Sequence, residues 1–115
     1  MALLETIKSS TEISYLFSQG KRFNSPCITL IVKERAPQSG QSGRVGFIAG
    51  KKLGNAVWRN TAKRRMRALS RELGGPWHGY DVIFLAKAQT NTASYSKVLT
   101  TCNGLLAKAF AEAGR

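Results

Sequence analysis

RVGFIAGKKLGNAVWRNTAKRRMRALSRELGG, residues 44–75, decides how this 115-residue chain folds. Its first seven residues alternate as a strand does, with Val45, Phe47 and Ala49 on one face and Gly46, Ile48 and Gly50 on the other. The bare second face admits either a closely packed helix of the same chain or a ligand. From about Ala56 to Leu73 the period lengthens to that of a helix, and Gly74-Gly75-Pro76 stops it with a left-handed cap and a residue that cannot continue the ladder. Placing Arg59 at zero and taking about 100° per residue, Arg59, Lys63, Arg67, Arg64 and Arg71 span roughly 0–140°. Trp58, Ala62, Leu69, Leu73 and Met66 span roughly 260–340°. The helix is two-faced, one stripe fit for a core and the other cationic.

Charge sharpens this reading. Nine of the chain's eighteen lysines and arginines lie between Arg44 and Arg71, with no acidic residue among them, in a chain of net charge +12. A solvated surface would mix signs. Like charges at helical spacing repel, so a polyanion is the natural partner, and the predominance of arginine suits forked bonds to phosphate. Asn55 and Asn60 add directional amides among the cations, and Asn55 is also placed to cap the helix.

Outward from this stretch, Ser9 and Glu12 have the spacing of a capping box, which predicts a first helix over about Ser10 to Gln19, with Ile13, Leu16 and Phe17 on one face and Gly20 as its left-handed stop. Cys27 to Lys33 reads as a strand, residues 21–25 as a short strand or extended lead-in, and residues 36–43 as the loop of a hairpin that returns through 44–50. Tyr80 to Ala86 is apolar on both faces, as a strand covered on two sides would be. A last helix from about Ser94 to Ala113 carries Tyr95, Val98, Leu99, Cys102, Leu105, Leu106, Ala109 and Phe110 as a core stripe. The length suits one domain, residues 1–115.

Little here could catalyse by itself. The six carboxylates have no spacing that suggests a metal site or an acid and base pair, His78 is the only histidine, and Cys27 and Cys102 lie far apart without a CxxC motif. Structural, reduced thiols are expected. The N-terminal residues lack a basic region and are broken by Glu5, and no segment is apolar enough to span a membrane, so a cytoplasmic protein without a membrane partner is expected.

Arg44-Val45-Gly46-Phe47, then Lys51-Lys52-Leu53-Gly54-Asn55-Ala56-Val57-Trp58-Arg59-Asn60 and Lys63-Arg64-Arg65-Met66-Arg67, resembles the signature of the protein subunit of bacterial ribonuclease P. Phe17, Gly20 and Gly79-Tyr80-Asp81-Val82 extend the resemblance over about residues 12–112. It implies an α+β, αβββαβα sandwich of the ribosomal protein S5 domain 2-like type, with a left-handed βαβ crossover against the usual right-handed preference. It also implies that the chain assists a catalytic RNA which removes the 5′ leader of precursor tRNA, with magnesium at the RNA active site and no cofactor on protein side chains. By position, contact with the catalytic RNA would fall to Lys51, Lys52, Asn55, Arg59, Asn60, Lys63, Arg64, Arg65, Arg67 and Arg71. A cleft for the single-stranded leader would be lined by Phe17, Phe23, Thr29, Ile31 and Ile48.

Two positions depart from the family's pattern. Its usual Arg-Asn-Arg is Arg59-Asn60-Thr61 here, which removes one cation and leaves Arg64 or Arg65 to compensate, and Ile31 stands where relatives often carry an aromatic. A basic RNA-binding protein of another ribonucleoprotein, such as the ribosome, would share the charge and the mixed α/β class. A helix lying on an anionic membrane fits less well, since the apolar stripe is needed for the core.

Overall fold

The computed structural model describes residues 10–34 and 43–113. The chain runs α1 (Ser10–Gln19), β1 (Lys21–Asn24), β2 (Ile28–Glu34), β3 (Arg44–Ile48), a 3₁₀ turn (Lys51–Leu53), α2 (Ala56–Glu72), β4 (Tyr80–Ala86), α3 (Gln89–Thr92) and α4 (Tyr95–Ala113). This is the expected order with the short α3 added. Ser9 of the predicted capping box, and all but Gly43 of the predicted loop, lie outside the described residues.

The sheet order is β1-β2-β4-β3. β2 is antiparallel to both β1 and β4, whereas β3 is parallel to β4. The expected hairpin between β2 and the 44–50 strand is therefore corrected, because β4 lies between them. Val82, Ile83 and Phe84 are wholly buried, and a strand apolar on both faces gains most at the centre of the sheet. Parallel neighbours need a crossover, and α2 supplies it. The tight hairpin is β1–β2, where Ser25 Oγ accepts from the Ile28 amide at 3.0 Å and the Ser25 amide bonds to the Ile28 carbonyl at 3.1 Å.

Register divides the sheet into two unlike faces. On one, Phe23, Leu30, Phe84 and Phe47 form a row beside Val32, Val82 and Val45. Ala62, Met66 and Leu69 of α2 and Val98, Cys102, Leu106 and Ala109 of α4 close this face into the main core. The helical stripes predicted for α2 and α4 are the stripes that face it. Cys27 and Cys102 are both buried here as free thiols. Burial, then the nearby Cys27, pushes the Cys102 thiol up to about 12.

The other face carries Arg22, Ile31, Ile83 and Gly46 in one row and Asn24, Thr29, Leu85 and Ile48 in the next. Among the described residues only α1 lies on it, with Leu16 buried against Ile31 and Ile83 and with Ile13 and Ile48 at the margin. A Cβ on Gly20 would stand 2.6 Å from both Ile31 Cγ2 and the Leu16 carbonyl oxygen. Gly20 does not have a positive φ, so its predicted left-handed stop is corrected: close packing, not backbone hand, demands a glycine. At the other end of α1, Arg44 donates to Asp81 through Nε at 3.1 Å and Nη2 at 2.8 Å, and through Nη1 to Glu12. This charged clamp joins α1 to β3 and β4.

α2 is fixed at both ends. Asn55 Oδ1 accepts from the Trp58 amide at 2.9 Å, the capping role open to it in the sequence. At the C-terminus Gly74 has φ +92°, its amide bonds to the Arg71 carbonyl at 3.2 Å, and the Gly75 amide bonds to the Ser70 carbonyl at 2.8 Å. These two bonds make a Schellman cap.

Candidate nucleic-acid interface

Burial against the core turns the opposite side of α2 outward. Lys51, Lys52, Asn55, Asn60, Arg64, Arg67 and Arg71 are exposed, and Arg59 and Lys63 are half-buried. Ion pairs among the described residues join Lys21 to Glu112 and Arg44 to Glu12 and Asp81. None of them takes a cation of α2. Arg67 holds its guanidinium 5.7 Å from the Phe47 ring centroid, over the edge strand β3. Arg59 keeps Nε buried without a hydrogen-bond partner.

Arg65 is placed apart from this group, which corrects its assignment to the RNA-facing set. Its Nη1 donates to the Thr90 and Ala93 carbonyls, both at 2.7 Å, and its guanidinium lies 5.7 Å from the Tyr95 ring centroid. It ties α2 to α3 and the start of α4. Helical phase already held the signal, since Arg65 falls roughly 240° from Arg59, next to the apolar stripe. Arg64 alone remains as the exposed cation beside Thr61.

On the half-covered face, Phe17, Thr29, Ile31 and Ile48 come together. Phe17, 38% exposed, stands at the end of α1 with the Arg22 guanidinium 5.7 Å from its ring centroid. Thr29 donates to Asn24 Oδ1 at 2.9 Å, and Ile48 is half-buried beside Leu85 in the register. Ile31 forms the floor beneath Leu16 and is not itself open. Phe23 belongs elsewhere, a second correction: alternation pairs it with Leu30, and it is buried in the closed core. The sequence reading missed Arg22, Asn24 and Leu85, which the same alternation places on this face once the register is known.

Among the described residues no group of three or more histidine, cysteine or acidic side chains could hold a metal ion, and no helix is long and apolar enough to cross a membrane. The surface offers cations, amides and a partly covered strip of sheet.

The family model for ribonuclease P matches residues 1–110. The chain belongs to the ribonuclease P protein family. The ribonuclease P protein component of Natranaerobius thermophilus is 36% identical over 99 residues, which cover 84% of this chain and 83% of that one. The Staphylococcus aureus ribonuclease P protein structure superposes with a TM-score of 0.78 at 22% identity, over 94% of this chain and 99% of that one. The Thermotoga maritima ribonuclease P protein gives 0.72 at 20% identity, over 88% and 94%. The α+β sandwich is thus the fold of ribonuclease P proteins, with the cationic helix packed on one face of the sheet and the partly covered strip on the other.

Proposed function

We infer that this chain is the protein subunit of ribonuclease P, acting with a catalytic RNA to remove the 5′ leader from precursor tRNA. The observation that carries this reading is the exposed cationic stripe of α2, without an ion pair among the described residues, in a chain of the ribonuclease P protein family. Docking on RNA phosphates neutralises the repulsion along the stripe and releases counterions. Lys51, Lys52, Arg59, Asn60, Lys63, Arg64, Arg67 and Arg71 make that contact, with Asn55 holding the helix start.

The half-covered face takes the single-stranded leader. Phe17 with Arg22 offers an aromatic and a cation to a base and its phosphate, and Asn24, Leu85 and Ile48 line the strip beside them, over the buried Thr29. The protein positions the substrate strand, and hydrolysis belongs to magnesium held by the RNA. Work on precursor tRNA places the protein in the cytoplasm.

Reconstitution tests this division of labour. RNA-free protein in magnesium leaves precursor tRNA intact, and adding it to the catalytic RNA raises leader removal at low salt. Cleavage by the protein alone overturns the assignment of chemistry to RNA. Recovery from cells of ribosomal RNA without ribonuclease P RNA overturns the reading as a whole.

A further inference from the structure

One concavity lies beside the cationic stripe. Gly54, Asn55, Val57, Trp58, Thr61 and Asn91 line an open pocket of about 600 Å³, within the range of ligand-binding clefts. Val57 is 73% exposed, the largest exposure among the bulky apolar residues described. Exposed Val57 and the neighbouring Trp58 give the pocket an apolar side.

Asn91 Nδ2 donates to the Trp58 carbonyl at 3.0 Å, which ties α3 to this wall of the pocket. Thr61 is spent locally, its hydroxyl donating to the Val57 carbonyl at 2.9 Å, so its small side chain leaves the pocket open.

Charge identifies the occupant. Val57 and Thr61 lie at roughly 160° and 200° on the helix, directly beside Arg64 at roughly 140°, and the exposed Lys51 and Lys52 precede Gly54. A polyanion bound along the stripe therefore passes the mouth of the pocket, with cations to either side of it. We propose that the pocket receives one unpaired nucleobase of the RNA docked on α2, its ring against Val57 and the Trp58 indole. This rests on the function proposed above and adds a contact that reads a base, where the stripe reads only phosphate.

The test turns on opposite signs. Thr61→Arg adds a cation to an exposed helical position that favours arginine, so docking through phosphates alone gives tighter binding of a ribonuclease P RNA transcript and a salt slope steeper by about one. Filling the pocket instead weakens binding by about tenfold, the expected result; equal or tighter binding overturns the proposal. In Trp77→Phe, Trp58 is the sole tryptophan, and its fluorescence should respond to oligoadenylate and not to an abasic ribose-phosphate oligomer of the same length. A response to both or to neither also overturns it. Failure of the unmodified chain to bind the transcript removes the functional reading and the pocket with it, whereas normal binding by both the unmodified chain and Thr61→Arg removes the pocket alone.

Discussion

The two faces of the sheet come from alternate residues of the same four strands, yet one is sealed and the other is half open. α2 and α4 bury Leu30, Val32, Val82 and Phe84, while α1 covers Ile31 and Ile83 and leaves Asn24, Leu85 and Ile48 at its margin, with Thr29 buried in their row. Burial is concentrated on the first face, which leaves the second partly uncovered. The contrast teaches that a residue's place in the fold says more about its role than its chemistry does: Phe23, facing the core from β1, is buried, while Phe17, at the end of α1, is exposed.

Removing a side chain from each face tests that contrast most strongly. Phe84→Ala leaves a cavity where Phe47 and Trp77 now pack on the ring, and it should cost about 3–5 kcal/mol in urea denaturation. Ile48→Ala should cost no more than about 1.5 kcal/mol, because the site is already part-exposed and loses less buried area, yet it should weaken binding of a leader-bearing precursor tRNA more than of mature tRNA. Equal stability losses at the two positions would make the second face ordinary core.

The sealed face also has an alkaline signature. The Cys102 thiol stays neutral in the fold up to about pH 12, whereas in the unfolded chain it ionises above about pH 8.5. Below that value both states hold the proton and stability is full; above it the unfolded state releases a proton that the folded state keeps, so stability falls as pH rises. By pH 10 the loss attributable to this thiol should reach about 2 kcal/mol. Cys102→Ala, less stable at pH 7, should lack that part of the alkaline slope. An unchanged slope would mean that water reaches the thiol.

Much of this was legible in residues 44–75. The phase of α2 separated Met66 and Leu69 from Arg64 and Arg67, and Asn55 and Gly74 marked its caps, because these features depend on local geometry alone. What depended on distant pairing was not legible. A hairpin from β2 to β3 satisfies the same alternation as the true order, and only the burial of β4 on both faces, which seats it between them, decides the matter. Phe23 was misplaced for the same reason, since its face follows from pairing with Leu30. The clamp of Arg44 on Asp81 and Glu12 joins residues from three elements and leaves no spacing in the sequence.

The smallest effect on stability, and the finest division, should lie between two adjacent arginines. Arg64 is exposed beside the stripe, and Arg65 bonds the Thr90 and Ala93 carbonyls. Arg64→Ala should change stability by less than about 0.5 kcal/mol while lowering the slope of log affinity against log salt by about one, the mark of one lost phosphate contact. Arg65→Ala should do the converse, costing about 1–2 kcal/mol through two carbonyls deprived of a charged donor, with the salt slope kept. Neighbours in sequence are about 100° apart on a helix, enough here to leave one arginine exposed and tie the other to the protein's own backbone. A reduced slope for Arg65→Ala would place the RNA across the α2–α3 junction and erase that division.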